Sequence, residues 1–181
     1  MLESARRAAE NAFDVYGNPS SVHSMGLSAK KIIDNARKTV ASALYCKPDE
    51  IIFTGGGSES NNQAILGLAK LRARRSKRII TTDSEHPSVG NVMSFLEESG
   101  FEIIRISTKG GRLDICELEN ALSLGAAFVS VMLVNNETGA IYDIEAVKRA
   151  IDRSGSGALL HCDAVQGFLK VDMRNLAKNC D

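Results

Sequence analysis

The chain has 181 residues, and its 22 Lys plus Arg against 22 Asp plus Glu give a formal net charge of +0. Hydrophobic residues make up 44% and charged residues 24%, which excludes wholesale disorder and fits one domain spanning residues 1–181. The even charge balance argues against a direct nucleic-acid or anionic-membrane binder, and no apolar run approaches the ~20 residues that span a bilayer. Met1–Arg7 is charged with no apolar stretch behind it, so no secretory signal is read there. Cys46, Cys116, Cys162 and Cys180 form no C-x-x-C pair. They are expected to be free thiols in a reducing compartment, the cytoplasm.

Taken in chain order, residues 2–14 read as a helix with Leu2, Ala5, Ala9, Ala12 and Phe13 on a narrow stripe. A loop rich in Gly, Asn, Pro and Ser follows from Gly17 to Ser24. A stronger helix then carries Met25, Ala29, Ile32, Ile33, Ala36, Val40, Ala43 and Leu44 at three- and four-residue steps. The run Glu50-Ile51-Ile52-Phe53 predicts a short buried strand ending at three glycines. Further strands are predicted over 78–82, 101–106, 126–134 and 158–162, and helices over 58–74, 87–99, 114–122 and 143–154. Strands that alternate with helices and are apolar in runs imply βαβ units, a mostly parallel sheet and helices on both faces. The expected class is α/β, in three layers. The basic run from Arg72 to Arg78 falls at a predicted helix end, where cations complement the dipole.

In such a sheet, ligands bind beyond the carboxyl ends of the strands, so polar residues just after each strand are the ones to inspect. Thr54-Gly55-Gly56-Gly57-Ser58-Glu59-Ser60 runs from a strand into a helix. Backbone N–H groups there can approach an anion, most simply a phosphate, although the segment is neither a Walker A loop nor G-x-G-x-x-G. The same residues also suit a plain glycine turn with Ser58 as helix N-cap. His86, pinned before Pro87, can stack on a planar ligand or move protons, or simply cap the helix. Asn135-Asn136 offers amides at a strand end, or shapes a turn. In Leu160-His161-Cys162-Asp163-Ala164-Val165-Gln166, alternation sends His161 and Asp163 to one face and Cys162 to the other, so no metal site is expected. A carboxylate there needs a donor or a cation. Anion cup, flat ring, amides and buried acid together suit pyridoxal 5′-phosphate. Its phosphate would go to the cup, its face to His86 and its ring nitrogen to Asp163, which would keep that nitrogen protonated.

Five segments carry a resemblance to a known family: Gly17–His23, Thr54–Ser60, Glu85-His86, Val134–Gly139 and His161–Gln166. In order and spacing they resemble the cysteine desulfurases, NifS/IscS-like enzymes of the class V aminotransferase group. The resemblance implies the large domain of a fold type I pyridoxal-phosphate transferase. It also implies cofactor contacts from Gly57, Ser58, His86, Asn136, Asp163 and Gln166, with His86 and Asp163 catalytic. L-cysteine is the implied substrate, a homodimer the implied assembly, and a sulfur-acceptor or iron–sulfur scaffold protein the implied partner. Selenocysteine lyase or another class V aminotransferase is the alternative within the group; a cofactor-binding or dimerisation module is the alternative outside catalysis. By the same resemblance the cofactor-anchoring lysine, the persulfide-forming cysteine and the substrate-gripping arginine lie beyond Asp181. The chain is therefore expected to be a fragment of a longer enzyme, inactive alone.

Overall fold

Four short strands, paired in parallel, form one sheet in the order β2-β1-β3-β4: β1 (Arg78–Thr82), β2 (Glu102–Ile106), β3 (Phe128–Ser130) and β4 (Leu159–His161). The computed structural model describes residues 1–174 and 176–181, and these divide into two units, Met1–Ile52 and Phe53–Asp181. The sheet belongs to the second unit. So do the helices α3 (Gly57–Arg72), α4 (Pro87–Glu98), α5 (Ile115–Ser123), α6 (Ile144–Ser154) and α7 (Leu176–Asn179).

Register explains the layers. Ile79 pairs with Phe128, and both join Ile65 and Ala69 of α3 and Val89, Val92, Met93 and Leu96 of α4 in one buried cluster. One residue on, Ile80, Val129 and Leu160 pair across three strands. The two-residue period turns these to the opposite face, the side served by the buried Leu118 and Leu122 of α5 and Val147 and Ile151 of α6. The α/β class and the three-layer arrangement are as the sequence predicts.

The helices start where side chains can accept the orphan amides of the first turn. Asp114 accepts from Glu117 N–H at 2.9 Å and Asp143 from Ala146 N–H at 2.8 Å. Gly155, at φ 61°, then ends α6 in the left-handed region. Removing a cap of this kind costs about 1 kcal/mol. Asp143→Ala should therefore lower the unfolding free energy by about that much, read as a lower urea midpoint with an unchanged m-value; a midpoint equal to wild type would show that the cap carries nothing.

Two predicted strands differ from the structure. Glu50–Phe53 is not a strand: Pro48–Glu50 is a single 3-10 turn, and Ile52 and Phe53 are largely exposed. An apolar run becomes a strand only by joining a ladder, and the four-stranded sheet does not include this one. The predicted 126–134 strand shrinks to Phe128–Ser130, and it pairs with β1 only at Phe128 and Val129. Beyond that point only one side of the ladder persists, with Val131 N–H donating to His161 C=O at 3.1 Å and Leu133 N–H to Asp163 C=O at 2.8 Å.

The basic run is not one surface feature. Arg72 closes α3, Arg75 donates to Ser156 C=O at 3.0 Å, and Arg78 grips Glu102. The first unit holds α1 (Glu3–Phe13) and α2 (Ser24–Leu44). The apolar stripe foreseen on α1 is not buried, and Leu2 and Phe13 are exposed. Gly26 of α2 lies under the Gly17–Ser24 loop: a Cβ there would come within 2.5 Å of Ser21 C=O. No helix among the described residues is long and apolar enough to cross a membrane.

Candidate cofactor cleft

At the carboxyl ends of the strands the second unit opens into a cleft of 260 Å³. Gly57, Ser58, His86, Asn136, Asp163 and Gln166, the six residues singled out from the sequence, all line it. Residues from four separate chain segments meet there because parallel strands end on the same side of the sheet.

One end is the start of α3. Gly56 is the N-cap, so the alternative that made Ser58 the cap does not hold; Ser58 sits one residue inside the helix. Its hydroxyl has no hydrogen-bond partner among the described residues. Glu59 turns back to accept Gly55 N–H at 2.6 Å, and Thr54 Oγ1 bonds the Gly56 carbonyl at 3.1 Å and Ser60 Oγ at 2.7 Å. These bonds fix the loop and leave the N–H groups of Gly57 and Ser58 without an intrahelical acceptor, as at any helix start. At Gly57 a side chain would displace Val165, which is itself exposed. A Cβ at that position would lie 2.8 Å from Val165 Cγ2. Fixed free amides, a free hydroxyl and the positive end of a helix dipole are the chemistry that suits an anion.

The other end is Asp163, buried with 8% of its surface exposed. Its Oδ1 accepts Val165 N–H at 2.9 Å and its Oδ2 accepts Asn61 Nδ2–H at 2.8 Å. The partner that a buried carboxylate demands is thus an amide from α3, not an arginine. The same Asn61 amide donates to Ser88 Oγ at 2.9 Å, and Ser88 Oγ lies 2.8 Å from His86 Nδ1. His86 Nδ1 also accepts Ser88 N–H at 3.1 Å, capping α4. Capping and cleft lining, set against each other as alternatives in the sequence, are both true of His86. Because Nδ1 accepts the Ser88 N–H, Nε2 is the nitrogen left to face outward as a donor. A continuous chain of bonds therefore runs from Asp163 through Asn61 and Ser88 to His86.

The two asparagines divide their work. Asn135 Oδ1 accepts from Glu137 N–H, Thr138 N–H and Thr138 Oγ1, which builds the turn, and leaves Asn136 exposed at the cleft. Gln166 is held by Lys170, whose Nζ donates to Gln166 Oε1 at 2.8 Å. Beneath the cleft, burial pushes His161 down to about 4, and its Nδ1 lies 2.9 Å from Ser130 Oγ. The Cys180 thiol bonded to it, together with burial, pushes Cys162 well above the ordinary thiol range. Among the described residues no three acidic, His or Cys side chains form a group able to hold a metal.

Two polar lining residues, Asn61 and Ser88, escaped the sequence reading. Asn61 could have been found. It lies three residues after Ser58 and so falls on the same helix face.

An aminotransferase class-V model matches residues 5–181, nearly the whole chain. The chain belongs to the aminotransferase class-V family. Within it, a cysteine desulfurase of Trichormus azollae is 43% identical over 171 residues, covering 93% of this chain and 42% of that protein. Cysteine desulfurase IscS of Dictyoglomus turgidum is 39% identical over 164 residues, 89% of this chain and 41% of that one. Among solved structures, SspA in complex with cysteine superposes with a TM-score of 0.90 at 32% identity, covering all of this chain and 52% of the other. A NifS-like protein gives 0.88 at 33% identity, over 97% and 49%. The chain thus spans less than half the length of the curated relatives described here.

Proposed function

We propose that the chain is the cofactor-holding part of a cysteine desulfurase and that its cleft binds pyridoxal 5′-phosphate. The observation that carries this is the joining of a helix-start anion site and a buried, hydrogen-bonded Asp163 in one cleft. A phosphorylated pyridine has those two chemistries at its two ends. The class-V family, with relatives named cysteine desulfurase, supports the same cofactor.

In this reading Gly57 and Ser58 hold the phosphate through backbone N–H groups and the Ser58 hydroxyl. The His86 ring covers one face of the pyridine. Asp163 keeps a proton on the ring nitrogen. Asn136 and Gln166 face the phenolic oxygen and neighbouring atoms. Bound there, the cofactor supplies an electron sink for the substrate's α-carbon. The whole enzyme would take L-cysteine to L-alanine: a cysteine thiolate attacks the substrate sulfur, the carbon–sulfur bond breaks with its electron pair staying on the carbon side, the β-carbon takes up a proton to become the methyl group of alanine, and the sulfur remains as an enzyme persulfide. That sulfur passes to an iron–sulfur scaffold or a tRNA-thiolation protein, in a homodimer working in the cytoplasm. The anchoring lysine and the nucleophilic cysteine are assigned to the part of the longer relatives that this chain does not match, so the chain alone is expected to bind without turning over.

Titration with pyridoxal 5′-phosphate, followed by visible absorbance and melting temperature, tests this. Saturable binding that raises the melting temperature, with no borohydride-fixed adduct on the protein, is the expected result. No response in either signal would overturn the reading in favour of a docking or dimerisation module. A fixed adduct on Lys170 would overturn the assignment of the lysine.

A further inference from the structure

Glu85 precedes His86 and plays no part in the function proposed above, yet its carboxyl group is buried under the cleft. Oε1 accepts from Thr82 Oγ1 at 2.7 Å and from Met132 N–H at 2.9 Å. Oε2 is buried with no hydrogen-bond partner, and Glu85 forms no ion pair among the described residues. The Met132 bond has a topological cause. Past Ser130 the N–H groups of residues 131 and 133 point to the β4 side and are taken by His161 and Asp163. The N–H of Met132 points to the β1 side, where β1 has already ended. Glu85 supplies the missing acceptor, and Met132 is itself a lining residue of the cleft.

We propose that Glu85 is a positioning residue: a neutral acid that closes the tip of the sheet beneath the cleft and leaves Asp163 as the anion there. An ionised carboxylate with one bare buried oxygen and no cation is strongly disfavoured, whereas a protonated one with Oε1 accepting twice is nearly satisfied. The titratable groups facing it, Asp163 and Cys162, come from the segment that extends β4, and a negative charge on either opposes a negative charge on Glu85. Burial, with a smaller contribution from Asp163, pushes Glu85 up to about 7. Its relevance to pyridoxal 5′-phosphate rests on the proposed function; its protonation does not.

Carbon-13 NMR of glutamate-labelled protein tests the protonation directly, with the signal assigned by its loss in Glu85→Gln. The Glu85 carboxyl should titrate about 7. Titration in the ordinary carboxylate range would overturn the proposal. Cofactor titration tests the positioning. Glu85→Gln, which mimics the neutral acid, should bind within about twofold of wild type, and Glu85→Ala, which strips Met132 of its acceptor, should bind roughly tenfold more weakly. Equal loss in both variants would show that a charged carboxylate is required and would sink the proposal. If wild type binds no cofactor, the functional reading falls while the NMR titration still decides Glu85. If Glu85→Ala fails to fold, the titration and Glu85→Gln decide.

Discussion

Asp163→Asn should weaken pyridoxal 5′-phosphate binding roughly 30- to 150-fold, the equivalent of about 2–3 kcal/mol for a hydrogen bond to a charged group. The substitution isolates charge from shape. Asn keeps an oxygen for Val165 N–H, and the Asn61 side chain can turn its own oxygen toward the new amide while Ser88 becomes the donor. The cleft therefore stays built, and the lost quantity is the negative charge that would hold the ring nitrogen protonated. Asn61→Ala tests the neighbouring link: it removes a neutral donor, and its effect on binding should be several-fold smaller. Fluorescence or absorbance titration at fixed pH measures both. An Asp163→Asn affinity within threefold of wild type would end the role given to Asp163.

Much of this site was legible in the sequence because its chemistry sits at strand ends, and strand ends can be found from apolar runs followed by Gly, Asn or a charged residue. His86, Asn136 and Asp163 were found that way, Gly57 with Ser58 by the glycine run, and Gln166 only through the family resemblance. The strand said to precede that run was wrong. Ile51-Ile52-Phe53 has strand composition, but composition cannot report whether a run joins a ladder, and the four-stranded sheet does not include this one. The glycine loop still begins a helix, because Gly56 and Glu59 determine that locally.

What stayed hidden were residues whose role depends on contacts between distant segments. The spacing to Ser58 marks Asn61 as a cleft residue, but its bond to Asp163 across 102 positions has no local sign. Glu85 looks like an ordinary loop acid. Its place under the cleft follows from the chain after β3 running on past the end of β1, where Met132 N–H meets Glu85 instead of a strand, a detail of strand length that sequence period does not resolve at the level of two residues. The choice between helix cap and ring partner for His86 was also undecidable locally, since one nitrogen serves the cap and the ring still lines the cleft.

The second large effect concerns acid stability, where Glu85 and His161 pull in opposite directions. Burial raises Glu85 from an ordinary 4.5 to about 7, so its contribution to stability is fully present below about 4.5 and is lost as pH rises through 7. Burial lowers His161 from 6.5 to about 4, so its contribution is present above 6.5 and is lost as pH falls through 4. Each displacement, from 4.5 to about 7 and from 6.5 to about 4, amounts to roughly 3–4 kcal/mol at about 1.4 kcal/mol per unit. Over the shared window, pH 4.5 to 6.5, the two slopes nearly cancel, and wild-type stability from these groups should be flat. Removing either partner exposes the other. Glu85→Gln should gain stability steeply as pH rises from about 4 to 6.5; His161→Asn, which can still bond Ser130, should lose it from about 4.5 to 7. Asp172, held near 2 by Arg174, acts only below this window and does not confuse the comparison. Urea unfolding at half-unit steps reads all three profiles. Parallel curves for wild type and Glu85→Gln would mean that Glu85 titrates alike in the folded and unfolded chains, and the carboxyl beneath the cleft would then carry no proton at neutral pH.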